Sequence, residues 1–198
     1  MAYTVINLGC GKTRIPVSIG VDKVKIEPFV DVVHDLGDLP YPFENGYANE
    51  IHMYHVLEHL DAPVEILKEI HRILKPGGKL HLRVPHFSSM GAFTDITHKR
   101  PFSYFSFDCF EKDHYQHFYA GCIYKILDKK IKYFGLYPNA GLYAKHIHPN
   151  KCFWLFKPFV HGINALIKIS PLFFERFWCY LVGGATEIAL VMKKPNAK

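Results

Sequence analysis

The sequence lacks the features that mark secreted, membrane-spanning and zinc-ribbon proteins. Its five cysteines are odd in number and no two are spaced as a CxxC pair, which argues against a disulfide framework and favours a reducing cytoplasm. No uncharged stretch reaches the ~18 residues that a bilayer-spanning helix needs, because four charged residues interrupt the most apolar region, Phe153–Val182. No basic segment leads into an apolar one at the N-terminus, so we expect no secretory signal.

Composition points to a folded chain of ordinary size. The 198 residues are 49% hydrophobic and 21% charged, which excludes a disordered tail and a low-complexity polymer. This length fits one domain with a substantial core. We therefore predict a single domain over residues 1–198, located in the cytoplasm.

The net charge of +6 is distributed unevenly. Residues 1–119 carry 12 Lys/Arg and 15 Asp/Glu, a net charge of −3, whereas residues 120–198 carry 12 and 3, a net charge of +9. A basic, aromatic-rich final third can face nucleic acid, an anionic membrane or a phosphorylated substrate. It can equally be a solvated lysine surface, and composition alone leaves these four interpretations open.

Short β-branched runs and helical periodicity alternate along the chain. A helix is predicted over Leu57–Leu74, ended by Lys75-Pro-Gly-Gly78, and two more over Pro158–Ile169 and Pro171–Val182, the latter with Ser170 as N-cap. The predicted strands are Tyr3–Leu8, Val17–Val21, Phe29–His34, Glu50–Tyr54, Lys79–Val84, Ile131–Tyr143 and Thr186–Met192. This alternation indicates a parallel α/β sheet whose ligand lies at the carboxyl ends of the strands.

The residues with chemical potential cluster at those strand ends. Asn7-Leu-Gly-Cys-Gly-Lys12 follows the first strand, but Arg14 stands at the third glycine position of a dinucleotide fingerprint and Pro16 would break the helix such a site requires. Asp22, at the end of the second strand, can accept hydrogen bonds from both hydroxyls of a ribose. Asp35-Leu36, after the third strand, offers a carboxylate and an apolar contact suited to adenine. The set indicates a nucleoside-type ligand.

Together these motifs resemble the class I S-adenosylmethionine-dependent methyltransferases, in particular the group typified by quinone-biosynthesis enzymes. The resemblance covers roughly residues 4–85. It rests on Asn7-Leu-Gly-Cys-Gly, Gly20-Val-Asp22, Asp35-Leu36, Tyr41-Pro-Phe43, His55-Val-Leu-Glu-His59 and Arg72-Ile-Leu-Lys-Pro-Gly-Gly78. It implies S-adenosyl-L-methionine as cofactor, with Asp22 on the ribose, and a cofactor site made of Leu8, Gly9, Cys10, Gly11, Asp22, Lys23, Asp35, Leu36 and His55.

The fold that this resemblance implies is a Rossmann-like sheet, mostly parallel with an antiparallel last strand. This chain departs from the usual layout, since residues 9–16 and 23–28 are too short for the full helices of parallel crossovers. We expect abbreviated helices after strands one and two, and a helical insertion over residues 153–184 before the last strand. One sheet face would then be bare, so we expect the Pro158–Val182 helices or a second subunit, as in a homodimer, to cover it.

Residues 86–119 form a long segment rich in histidine and aromatics, which we interpret as a substrate lid. The tract from Pro85 to Phe102 is similar to members associated with surface-glycan and natural-product pathways. Candidate catalytic residues are His86, Asp95 and His98, because histidine is a suitable base near neutral pH. These three could instead bind metal or serve structure. Lys99 and Arg100 are candidate ligands for a substrate phosphate or carboxylate.

His55-Val-Leu-Glu-His59 also matches H-x-x-E-H, an inverted zinc-protease pattern. Because it falls at a strand–helix junction beside a nucleoside-type site and shows no third ligand, we predict no metal there. The apolar C-terminal helices are either buried or dock on an anionic membrane at its inner face.

We therefore predict a methyltransferase acting on oxygen or nitrogen of a small molecule, sugar or lipid-linked glycan. The two alternatives are a non-catalytic cofactor-binding partner subunit and an RNA methyltransferase. No nucleic-acid recognition motif is present, so a nucleic-acid partner is not expected.

Overall fold

A computed structural model describes residues 3–132, 153–181 and 184–196. It contains one seven-stranded sheet in the order β3-β2-β1-β4-β5-β7-β6. Only β7 runs antiparallel to its neighbours β5 and β6, while the remaining pairs are parallel. The strands are β1 Val5–Leu8, β2 Ile19–Asp22, β3 Val32–Val33, β4 Ala48–Tyr54, β5 Leu74–Pro85, β6 Lys125–Lys132 and β7 Glu187–Lys193. This confirms the predicted fold class.

The helices are α1 Pro63–Ile73, α2 Gly91–Thr94, α3 His117–Ala120, α4 Phe153–Ile169, α5 Pro171–Phe173 and α6 Cys179–Leu181, with 3-10 turns at Leu57–His59 and Asp108–Phe110 and a π-helical turn at Phe174–Trp178. Ser170 caps α5 as predicted, since its side chain accepts a hydrogen bond from the Phe173 amide.

Several predicted boundaries differ from the structure: β5, for example, begins at Leu74 rather than Lys79, and β3 spans only Val32–Val33. The helix predicted over Leu57–Leu74 is two elements, because Pro63 has no amide hydrogen to donate and instead occupies the first turn of α1. The strand predicted over Ile131–Tyr143 begins earlier, at Lys125, and residues 133–143 lie outside the described part of the chain. Pro158 falls inside α4 rather than at its first position.

The sheet has one apolar face and one polar face. Ile51, Leu80 and Met192 lie in register across β4, β5 and β7 and are fully buried. Their neighbours on the other face, exemplified by His81 and Arg83 on β5, are partly exposed. Side chains of adjacent residues in a strand point to opposite faces. Burial alternates along residues 78–84 of β5 and 188–193 of β7, so the apolar face is the more tightly packed of the two over these residues.

The short connections explain why no helix among residues 3–132, 153–181 and 184–196 covers the second face. Residues 9–18 and 23–31 contain no helix at all. The helices that we expect to be short after β1 and β2 are therefore replaced by turns in these two segments. The face they would cover is lined by Glu50, His52, Tyr54, Lys79, His81 and Arg83. Polar side chains lose little by remaining in water, as in a sheet with one solvated side, so a covering layer is not required.

The expectation that the Pro158–Val182 helices cover this face is therefore wrong. Ile163, Ile167 and Phe174 pack instead in a second cluster with Ile131 of β6, and with Phe87 and Tyr104 of the predicted lid. Because Ile131 pairs with Ile188, which belongs to the main core, the insertion extends the apolar side of the sheet. In the described ranges, no helix is both long and apolar enough to cross a bilayer.

Leu190 and Val191 of β7 give a direct test of this one-sided packing. Leu190→Ala should lower the free energy of unfolding by about 2–5 kcal/mol, since it leaves a cavity in the core. Val191→Ala should cost less than about 1.5 kcal/mol, because Val191 is partly exposed on the other face. Urea denaturation of the two variants measures both values. Equal losses would contradict an uncovered face and would indicate that a second copy seals it.

Candidate functional site

The turn after β1 is joined to the end of β2 by a carboxylate. The Gly11 amide donates to Asp22 Oδ2 at 2.9 Å, and the Gly9 and Cys10 amides both donate to the Val21 carbonyl. Gly9 and Gly11 have φ values of +66° and +49°, a region that L side chains rarely adopt. The Asp22 carboxylate is thereby held against the glycine turn, as the sequence predicts.

Gly9 and Gly11 serve different purposes. A Cβ on Gly9 would lie 2.2 Å from Val56 Cγ2, so this glycine permits close packing of the turn against the end of β4. A Cβ on Gly11 would meet no atom within 4 Å. The open space above Gly11, next to a carboxylate that retains free acceptor capacity, fits the sugar and amino-acid portions of an adenosine-bearing ligand.

Three residues assigned to the cofactor site on resemblance turn their side chains inward. Leu8 and Leu36 belong to the main core and are at most 5% exposed. The buried Cys10 thiol donates to the Phe29 carbonyl at 3.5 Å, and burial raises its pKa. Only the backbone of these residues can face a ligand. Their side chains fix the course of the turn.

Asp35 and Lys23 lie on the surface of the same sheet edge. Asp35 Oδ1 accepts a hydrogen bond from the Gly37 amide at 2.9 Å, which closes a tight turn after β3. Lys23 follows Asp22 directly and is exposed. Both side chains are accessible beside the glycine turn, at the edge where adenine is expected.

His55, directly after β4, lies between two acidic side chains and has a φ of +55°. Its Nε2 is 3.0 Å from Glu187 Oε2 and its Nδ1 is 3.6 Å from Glu58 Oε1. Burial opposes protonation of the ring, but the two carboxylates outweigh burial and raise the pKa of His55 to about 9. His55 is therefore an imidazolium at neutral pH, a fixed positive charge at the sheet edge.

Glu187 forms ion pairs with side chains at the ends of three strands. Its carboxylate contacts His55, Arg83 and Lys132, with Arg83 Nε at 3.4 Å. Burial by itself would raise the pKa of Glu187. Hydrogen bonds from His55 and Lys132 outweigh this effect and lower the pKa to about 2. The carboxylate is thus ionised throughout the neutral range and anchors the ends of β4, β5 and β6 to the start of β7.

The first part of the predicted lid docks on the 3-10 turn after β4. The Lys99 amide donates to the Glu58 carbonyl at 2.8 Å, which fixes the backbone of the segment. Lys99 Nζ pairs with Asp61 Oδ2 at 2.5 Å, and Arg100 Nη2 donates to the Asp61 carbonyl at 2.6 Å. The two side chains predicted to bind a substrate anion are thus engaged with Asp61.

His98 connects this segment to a buried acid. Its Nδ1 is 3.1 Å from the Ala92 carbonyl, which requires a proton on Nδ1, and its Nε2 is 3.8 Å from Glu58 Oε1. Glu58 is 1% exposed, and within the described residues neither of its carboxylate oxygens has a hydrogen-bond partner. A proton taken up by His98 Nε2 would place its charge beside this carboxylate.

The hydroxyl group of Thr97 links Asp95 to His59 by hydrogen bonds. The Thr97 hydroxyl donates to Asp95 Oδ1 at 2.6 Å and lies 2.8 Å from His59 Nδ1. Hydrogen bonds from the Thr97 side chain and amide lower the pKa of Asp95. The structure therefore brings Asp95 and His98 together around the turn that carries Glu58 and His59.

His86 does not join them. It is fully buried, its Nε2 lies 2.8 Å from Glu175 Oε1 and its Nδ1 lies 2.7 Å from Ser88 Oγ. Glu175 also accepts from the Ser103 hydroxyl and the Tyr104 amide. With both nitrogens engaged and no exposed surface, His86 has no access to an acceptor. It connects β5 to the lid and to the helical insertion.

Sequence reasoning missed three acids of this region: Glu58, Glu175 and Glu187. In the sequence, Glu58 belongs to a methyltransferase-like motif that also matches a zinc-protease pattern, but it is not among the predicted site residues, and neither are Glu175 and Glu187. Each is an isolated acid within an apolar stretch, a pattern that indicates a buried, paired charge. Their partners lie far apart in sequence, 132 residues for His55 and Glu187.

The comparisons with known proteins agree with this geometry. A methyltransferase-domain family model matches residues 4–130. A 55-residue stretch is 40% identical to demethylmenaquinone methyltransferase of Chlamydia muridarum, covering 28% of this chain and 23% of that enzyme. The chain thus matches less than a quarter of the length of this curated relative.

Solved structures share the fold across nearly the whole chain. A SAM-dependent methyltransferase from Archaeoglobus fulgidus superposes with a TM-score of 0.58 and 20% identity, covering 98% of this chain and 86% of that one. One from Mesorhizobium loti gives 0.52 and 10%, covering 96% and 90%. The [4+2]-cyclase SpnF gives 0.55 and 16%, covering 99% and 76%. The glycine turn, its carboxylate and the family match agree: the chain belongs to the methyltransferase-domain family, the class I S-adenosylmethionine-dependent methyltransferases.

Proposed function

We propose that the protein transfers a methyl group from S-adenosylmethionine to oxygen or nitrogen of a small-molecule, sugar or lipid-linked glycan acceptor. The observation that carries this proposal is that the Asp22-bound glycine turn and the lid share the segment after β4, since Gly9 packs against Val56 and His98 lies beside Glu58. The resemblance of residues 85–102 to glycan-pathway members favours a hydroxylated acceptor. No recognition motif favours RNA.

Asp22 is the residue we assign to the cofactor ribose. Its Oδ2 is fixed by the Gly11 amide, which leaves the remaining lone pairs of the carboxylate for two hydroxyl donors. The bound cofactor supplies an activated sulfonium methyl group. The chain therefore has mainly to align the acceptor at roughly 3–3.5 Å and to exclude water.

His98 is the base that the geometry supports. With a proton on Nδ1, its Nε2 carries the lone pair, and Glu58 stands 3.8 Å away to stabilise the imidazolium that forms when an acceptor hydroxyl loses its proton. Asp95 positions the neighbouring ring of His59 through Thr97. Lys99 and Arg100 contribute to anion binding only if the acceptor competes with Asp61 for them.

The helical insertion supports an acceptor presented at a membrane surface. Large apolar side chains are exposed along α4 to α6, including Ile169 and Leu181 at 80% each. The exposed charged side chains described on these helices, Lys168 and Arg176, are both positive. A continuous apolar surface with cationic flanks suits the interface of an anionic bilayer. We therefore place the protein at the inner membrane face.

Asp22→Ala should raise the dissociation constant for S-adenosylmethionine at least about tenfold, because two hydroxyls lose a charged acceptor. Isothermal titration calorimetry measures the change. Asp128→Ala, which removes an exposed carboxylate on β6, serves as the matched control and should bind like the parent. Unchanged affinity in Asp22→Ala would contradict the assigned cofactor site.

His98→Ala should lower turnover by about 100-fold or more while the affinity for S-adenosylmethionine stays within about twofold. The assay follows tritiated methyl groups into lipid, glycan, small-molecule, protein and RNA fractions of a cell extract. His114→Ala, a histidine elsewhere in the lid segment, is the control and should keep parental turnover. Tritium label in the RNA fraction would contradict the proposed class of acceptor. Full activity of His98→Ala would contradict the assignment of His98 as the base.

Replacing Phe173 and Phe177 together by serine should reduce sedimentation with vesicles containing anionic phospholipid at least about fivefold, since both rings are more than half exposed. Phe118→Ser removes an equally exposed ring on α3 and should leave binding unchanged. Equal sedimentation of all variants with the vesicles would contradict a membrane-binding role for these helices. The same conclusion would follow if the parent protein is a dimer and the double variant is a monomer.

A further inference from the structure

A cluster of one carboxylate and two imidazoles lies on the uncovered face of the sheet, away from the proposed methyl-transfer residues. Glu50 and His52 are two residues apart on β4, and His81 is directly opposite His52 on β5. Residues two apart on a strand, and residues opposite each other on neighbouring strands, project from the same face. All three side chains therefore project from the same patch of a rigid sheet.

The distances in this cluster are close to those of a tetrahedral metal site. Glu50 Oε2 is 3.5 Å from His52 Nε2 and 3.9 Å from His81 Nε2, and one ligand atom from each residue lies within 4.8 Å of the other two. Zinc bonds of about 2.0–2.1 Å place ligand atoms roughly 3.4 Å apart in a tetrahedron. The two carboxylate edges need a contraction of a few tenths of an ångström, whereas the edge between the two imidazoles, which is at most 4.8 Å, needs a larger change that rotation of the rings can supply.

The donor set suits a metal. Neutral imidazole nitrogens and an ionised carboxylate are the forms in which histidine and glutamate bind transition metals.

Two further features resemble the surroundings of metal ligands. Tyr54 Oη lies 2.9 Å from His52 Nδ1, and such an outer contact orients a ligating ring. His81 Nε2 is buried, yet among the described residues it has no hydrogen-bond partner. An imidazole nitrogen withdrawn from water and left unbonded loses free energy that a ligand would restore.

We propose that Glu50, His52 and His81 form a site for one divalent transition-metal ion, with Zn²⁺ as the best match. Two imidazoles and one carboxylate leave the fourth tetrahedral position open to water or an exchangeable ligand. Imidazole ligands favour zinc over magnesium or calcium. The two rings stack with centroids 4.4 Å apart and planes 10° apart, so metal binding tilts them until their lone pairs converge.

The Glu58, His59 and His98 group is a poorer metal site, although its ligand atoms are equally close. The imidazolium of His55 stands 3.6 Å from Glu58 Oε1 and already supplies a positive charge there. On the strands of the sheet-face cluster, Lys79 lies two residues before His81, and the Arg83 guanidinium lies over the Tyr54 ring. A metal at this cluster joins β4 to β5 where no helix among the described residues covers them.

The test uses the full chain, stripped with EDTA, dialysed and titrated with zinc chloride. We expect one Zn²⁺ per chain, and a melting temperature that rises with zinc concentration because the ion binds only the folded protein. His81→Ala and Glu50→Gln should each weaken zinc binding more than about tenfold and abolish the thermal shift. Tyr54→Phe keeps all three ligands and should weaken binding by about 10-fold.

His161→Ala, an exposed histidine on α4, and His98→Ala are the controls, and both should retain one zinc per chain. Circular dichroism without metal establishes whether each variant is folded. If His81→Ala does not fold, zinc binding by Glu50→Gln and Tyr54→Phe decides the outcome. No zinc binding by the parent, unchanged binding in Glu50→Gln, or loss in His98→Ala alone would overturn the proposal.

Discussion

The alternation of apolar and polar residues along the central strands is the constraint on which this structure depends. It puts Ile51, Leu80 and Met192 into one packed core and leaves the opposite side of the same strands to polar groups. A parallel sheet normally needs helices on both faces because both faces are apolar. Here the crossover connections after β1 and β2 are short turns without helices. Such turns are sufficient because the sheet face that longer connections would cover carries polar side chains that can remain in water.

Buried acids hold the remaining parts around that sheet. Glu187 ties β7 to the ends of β4, β5 and β6, and Glu175 ties the insertion to His86. Both are ionised groups removed from water, so each depends on partners that satisfy its oxygens. The sheet edge that contains His55 is therefore stabilised by charge pairing between distant segments as well as by the apolar core.

The sequence predicted the sheet and the placement of Asp22 and the glycine turn at neighbouring strand ends, because these follow from local signals: β-branched runs, glycines, and acids at strand ends. The docking of Lys99 and Arg100 on Asp61 was not predictable in that way, nor was the burial of His86. Each depends on a contact between segments distant along the chain, and periodicity within a window carries no information about it. The polarity of the uncovered face could have been derived, since Glu50, His52 and Tyr54 alternate with Ile51 and Met53.

The contact between His86 and Glu175 has a mechanical consequence. It fixes the first residue of the predicted lid to the π-helical turn of the insertion, and the same carboxylate accepts hydrogen bonds from the Ser103 hydroxyl and the Tyr104 amide. A displacement of Glu175 would therefore move residue 86 and residues 103–104 together, on either side of the segment that contains Asp95 and His98. The position of that segment is thereby coupled to the position of the insertion.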